Sequence, residues 1–279
     1  MLATFIVVWR ESLEATLIVV ILLAYLRRIG QADKYRYIYV GVAAALVACA
    51  AFARLSAYLE GLFEGAGEEI FQASIIAVAV VVVTTMVIWM HRQAGSLRAS
   101  LEGQAAMALE RGQVMSLALL AALAVFREGA EAVLFLWGLA MSSSTSTMQM
   151  VGAGAAGALV AVAMGYLLFL GAARINLKLF FEATAAALLL IAAGMLAQAA
   201  NKLIGVGVLP AIVGQVWNSA WLLDERGPLG SVAAMLFGYR SRPSLMEVAV
   251  YFLYFPPVLY LMWHTSNDGN AHRPRIQPR

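Results

Sequence analysis

Apolar runs long enough to cross a bilayer recur along this chain, separated by short polar stretches. A hydrocarbon core of about 30 Å takes roughly 20 residues of helix. Seven runs approach that length, at 2–26, 37–57, 70–90, 114–141, 151–172, 179–199 and 245–263. Between the third and fourth, residues 91–113 set Arg92, Arg98, Glu102, Glu110 and Arg111 among Ala and Leu at helical spacing, which predicts an amphipathic helix on the membrane surface. Residues 201–244 are Gly-rich and hold Trp217, Trp221, Asp224, Glu225 and Pro228, as suits a re-entrant or interfacial segment able to meet a partner. Pro256 and Pro257 predict a kink in the seventh run, and 265–279 reads as a disordered basic tail.

Composition agrees. The chain is 62% hydrophobic with a mean hydropathy of +0.81, against about 45–50% apolar residues in soluble domains. An all-α integral membrane protein is expected, with the lipid bilayer as its first partner. The net charge of +3 is too small to argue for nucleic acid. Cys49 is the single cysteine, which excludes a disulfide framework and a Cys-rich redox motif, so no bound redox cofactor is expected. The first run has no basic leader or cleavage site and is read as a retained span.

Twelve Lys and Arg residues fall in the stretches after spans 1, 3, 5 and 7, and five fall on the opposite side. Positive loops stay cytoplasmic. The expected topology is therefore N-terminus outside and C-terminus inside.

Six charges interrupt the apolar pattern deep within spans, well away from their ends. Arg10-Glu11-Ser12-Leu13-Glu14-Ala15 lies in the first and Arg127-Glu128-Gly129-Ala130-Glu131-Ala132 in the fourth, both reading R-E-x-x-E-A. A charge at the centre of a bilayer helix costs roughly 2.5–3.5 kcal/mol on insertion scales and marks a functional pathway. Residues three and four apart share a helix face, so Glu11 pairs with Glu14, Glu128 with Glu131, and Arg10 and Arg127 reach Glu14 and Glu131. One guanidinium cannot neutralise two carboxylates, so each copy calls for a cation or protons.

The two motif spans run in opposite senses, because an odd number of crossings separates them. That predicts a 3+3 inverted repeat plus a seventh helix: repeat A over about 1–91, repeat B over about 114–200, helix 7 over about 245–263, together a permease domain of 1–264 with a cytoplasmic tail at 265–279. Phe71-Gln72-Ala73-Ser74 and Phe181-Glu182-Ala183-Thr184 echo the repeat faintly. Inverted repeats place substrate near the midplane where the halves meet, which would gather Glu11, Glu14, Glu128 and Glu131. Four carboxylates against two Arg suit a multivalent cation, and carboxylate oxygen selects hard ions without naming one. Before span 3, Glu60, Glu64, Glu68 and Glu69 form an acidic stretch without a basic residue, read as a solvated loop or as a funnel that concentrates cations.

Paired R-E-x-x-E motifs in spans 1 and 4 of a seven-span chain resemble the oxidase-dependent iron permeases, the Ftr-type family of fungi with its EfeU-type bacterial relatives. Tyr25-Leu26-Arg27-Arg28, Trp89-Met90, Arg174-Ile175-Asn176-Leu177 and Phe237-Gly238-Tyr239 extend the similarity over most of the chain. The resemblance implies import of iron, as Fe(II) or Fe(III), bound and passed by Glu11, Glu14, Glu128 and Glu131 with Arg10 and Arg127 as ion-pair partners. Ser12 stands where the family has Gly. Glu69-Ile70-Phe71-Gln72-Ala73 stands where it has E-x-F-E-G, so Glu69 is carried over as a metal ligand and the second Glu is replaced. The resemblance further implies a separate periplasmic or extracellular iron oxidase or cupredoxin-like partner. A bacterial inner membrane fits the compact chain, and a homo-oligomer is compatible with it. Other readings are a carrier for Mn(II) or Pb(II), a structural subunit with buried ion pairs, and an intramembrane enzyme. The last lacks a nucleophile, and His91, His264 and His272 all fall at helix ends or in the tail.

Overall fold

The computed structural model describes residues 1–61, 67–93, 97–110, 113–142, 146–170, 177–225 and 227–271. Among these the regular structure is helical, and no strand occurs. Long helices follow from Ala-, Leu- and Val-rich runs that must satisfy their own backbone hydrogen bonds in hydrocarbon. They are α1 (Leu2–Arg28), α2 (Tyr35–Gly61), α3 (Glu68–Gln93), α4 (Leu97–Glu110), α5 (Val114–Ser142), α6 (Thr147–Phe169), α7 (Leu177–Gly205), α8 (Pro228–Phe237) and α9 (Leu245–Ala271).

Five of them, α2, α3, α6, α7 and α9, are long and apolar enough throughout to cross a membrane. Five such helices in one chain are the pattern of a multi-pass membrane protein. Helices α1 and α5 are as long, at 27 and 29 residues. What sets them apart is the three charges of each motif.

The surface helix expected at 91–113 is α4. Its Leu101, Ala105 and Ala108 are buried against α1 and α5, and Glu102 accepts from Arg28 at 2.9 Å. The stretch 201–244 differs from a plain loop in two ways: α7 continues to Gly205, and α8 forms inside it. Pro228 opens α8 where its missing N–H costs nothing, and Gly238 closes it at φ +63°. Extended segments beside α8 are tied by Val216 N–H to Pro243 O and Ser219 N–H to Ser241 O, both at 2.9 Å. Helix α9 begins with a reciprocal cap, Ser244 N–H to Glu247 Oε2 at 2.7 Å and Glu247 N–H to Ser244 Oγ at 3.3 Å. It runs on past Pro256 and Pro257 to Ala271, into the stretch read from sequence as tail.

Two buried apolar clusters organise the bundle. One joins α3, α7 and α9 with Ala3 and Val7 of α1 and Phe135 and Leu139 of α5. The other joins α2 and α4 with Ile18, Leu22, Leu23 and Leu26 of α1 and Leu117 and Ala121 of α5. Along both α1 and α5 the motif lies between the two contributions.

Candidate metal centre

Close helix packing sets the position of each motif. A Cβ on Gly157 of α6 would stand 2.8 Å from Phe5 O and 2.9 Å from Trp9 N, so α6 rests directly on the α1 backbone just before Arg10. On the other side, Gly41 of α2 abuts the Ala118 carbonyl of α5, and Gly129 inside the second motif abuts Cys49 Sγ. Glycine at these points lets the motif helices be gripped at backbone distance.

Arg10 is buried at 1% exposure and is shared among four groups. Its Nη1 donates to Glu11 Oε1 at 2.6 Å and to Met86 Sδ at 3.3 Å; its Nη2 donates to Met90 Sδ at 2.8 Å and lies 3.0 Å from Glu14 Oε1, an ion-pair contact without hydrogen-bond alignment. The i, i+4 pair expected from sequence is present, and the adjacent Glu11 takes the shorter contact. In the second motif Arg127 Nε donates to Glu131 Oε1 at 3.0 Å, and its guanidinium lies 3.9 Å from the Trp89 ring centroid. There the side chain is 41% exposed. Val82, Thr85, Met86, Trp89, Arg127 and Glu131 line a cavity of about 360 Å³ beside it.

One carboxylate oxygen from each of Glu11, Glu128 and Glu131 converges, all within 4.8 Å of one another. The two motifs therefore meet. Glu14 is buried beside Arg10 and outside that trio. Each motif carboxylate has one buried oxygen without a hydrogen-bond donor: Glu11 Oε2, Glu14 Oε1, Glu128 Oε2 and Glu131 Oε2. Buried acceptors of this kind are costly unless a cation or proton meets them. A multivalent hard cation fits the set: oxygen ligands, and four carboxylates against only two guanidinium groups, Arg10 bonded to Glu11 and Arg127 to Glu131.

The remaining sequence candidates lie elsewhere. Glu69 accepts from Lys202 Nζ at 2.9 Å, and Glu68 Oε1 accepts from Gln72 at 2.9 Å, both at the start of α3. Neither belongs to the trio. Glu64, the Glu60 side chain and the His91 side chain fall outside the described residues. Sequence reasoning missed Met86, Trp89 as a cation platform, and Lys202, since an apolar or terminal residue in a long span gives no signal of its neighbour.

Similarity to known proteins runs the length of the chain. The profile of the iron permease FTR1 family matches residues 1–265. The ferrous iron permease EfeU of Yersinia pestis is 33% identical over 284 residues, covering 100% of both chains. That of Yersinia pseudotuberculosis is 33% identical over 280 residues, 98% of each. The Escherichia coli protein of the same name is 32% identical over 261 residues, 93% of this chain and 94% of its own. No solved structure matches.

Proposed function

The chain belongs to the iron permease FTR1 family, and on that footing we propose that it imports iron through a path whose binding core is Glu11, Glu128 and Glu131, with Glu14 behind them. The observation that carries this reading is the convergence of the two motifs on one point. Iron entering the site exchanges water oxygens for carboxylate oxygens. Four Glu and two Arg leave about two negative charges, which balance a divalent ion as it sheds its hydration. Fe(II) is the form that the relatives' names give.

Seven crossings, formed by α1, α2, α3, α5, α6, α7 and α9, arranged as a 3+3 inverted repeat plus α9, are part of the proposal. Helix packing supports it. Helix α1 packs on α6 as α5 packs on α2, and α1 meets α5 as α3 meets α7. Exchanging the halves 1–2–3 and 5–6–7 maps each of these pairs onto another or onto itself. The positive-inside count then puts the N-terminus outside a bacterial inner membrane and the C-terminus in the cytoplasm, with 1–264 as the permease domain. An iron oxidase or cupredoxin-like partner would dock on the outer segment 206–244, where Trp217, Trp221 and Leu222 are exposed.

The test is radio-iron uptake into proteoliposomes holding the wild-type chain or its Glu131→Gln variant, with Fe(II) and Fe(III) offered separately and Mn(II) as competitor. Iron flux that Glu131→Gln abolishes, with the variant present at normal level, is the expected result. Flux unchanged by the substitution would overturn the site, and preferred Mn(II) flux would overturn the cargo.

A further inference from the structure

At the end of the bundle where α3 begins and α5 and α7 finish, a cavity of about 730 Å³ is lined by Glu69, Gln72, Ser142, Gln198, Asn201 and Lys202 among others. Lys202 projects from α7 to α3, where its Nζ donates to Glu69 Oε2 at 2.9 Å and to Gln72 Oε1 at 2.5 Å. Gln72 turns its amide N–H toward Glu68, which leaves its carbonyl oxygen for the ammonium. A carboxylate and an amide oxygen thus surround a cation at the mouth of a cavity, and that cation is covalently part of the protein.

We propose that Lys202 is a specificity-determining residue, a tethered cation that competes with the incoming metal ion for Glu69. This rests on the transport reading above, with this end of the bundle as the entry side. A tethered group acts at an effective concentration of about millimolar or more. A monovalent ion brings no more charge than the ammonium it would replace, so at lower concentrations it does not displace it. A multivalent ion gains at least twice the attraction to Glu69 and does. Lys202 therefore sets a threshold at the mouth and leaves the central trio untouched.

The experiment is initial-rate iron uptake in proteoliposomes at low ionic strength with Mg²⁺ as the competing ion. Lys202→Gln should lower the apparent KM for iron by about threefold, as expected for one screened charge several ångströms away. It should also make Mg²⁺ inhibit at lower concentration, with maximal rate per protein unchanged. Lys202→Arg should keep the wild-type KM, and Glu69→Gln combined with Lys202→Gln should cancel the gain. An unchanged or raised KM in Lys202→Gln, or a gain that survives loss of Glu69, would overturn the proposal. Tb³⁺ luminescence titration of purified protein in the Glu131→Gln background reads the same site without flux: tighter Tb³⁺ binding on adding Lys202→Gln is expected, and equal binding counts against it. Should the wild type carry no iron, the transport reading fails while the titration still decides this one.

Discussion

The Arg127 guanidinium lies 3.9 Å from the centre of the Trp89 ring while its Nε holds Glu131. Cation and carboxylate are thereby kept side by side, and the second Glu131 oxygen is buried without a hydrogen-bond donor. A cation–π contact is worth about 0.5–2 kcal/mol, most for Trp. Trp89→Leu should lower stability by that amount in thermal unfolding in detergent, whereas Trp89→Phe should retain about half of it. Equal losses in both would show that ring electrostatics contribute nothing.

The four motif glutamates should not be equivalent. Glu11, Glu128 and Glu131 share the convergent point, and Glu14 reaches the site through Arg10. Changing each of the three to Gln should abolish measurable iron uptake at normal protein level. Glu14→Gln should reduce it by about 10–100-fold, the range for a group behind the ligands. Uptake kinetics across the four variants, normalised to protein by immunoblot, distinguish this from four equal contributions.

The two arginines should fail differently. Arg10 is buried against two carboxylates, and removing one partner of a buried pair costs about 3–5 kcal/mol. Arg10→Ala should deplete the protein from the membrane. The more exposed Arg127 side chain belongs to a pair of a kind worth about 0–1 kcal/mol, so Arg127→Ala should accumulate normally and lose flux instead. Quantitative blots of membrane fractions beside uptake rates make the comparison.

Gly157→Ala places a methyl against the backbone of Phe5 and Trp9. Overpacking of this kind costs about 1–3 kcal/mol. Gly152→Ala on the same helix meets nothing within 4 Å and should be neutral or slightly stabilising. Unfolding midpoints of the two variants in detergent test whether α6 grips α1 at that point.

Much of the site was legible because a charge in a long apolar run has no bland explanation. Arg10, Glu11, Glu14, Arg127, Glu128 and Glu131 stand out on that ground alone, and helical spacing finds the Arg10–Glu14 and Arg127–Glu131 contacts. Spacing within one helix cannot say which face meets another helix, so the exclusion of Glu14 from the trio was invisible. Met86 and Trp89 are hidden for the same reason, being ordinary residues of an apolar span until α3 is packed against α1 and α5. Helix α8 was missed because Gly and Trp in 201–244 read as loop, while its Pro228 start and Gly238 stop act only once the chain between them is seen to pack. Glu69 was carried over as a metal ligand, and its bond to Lys202 was invisible because it joins residues 133 apart.

Because α1 and α5 each contribute to both apolar clusters with the charged residues between, the motifs sit at the junction of two apolar packings and inside neither. That junction gathers four carboxylates against two guanidinium groups, so negative charge is in excess there. On the proposed reading, a cation bound at that junction would draw the two packings together, and its release would loosen them.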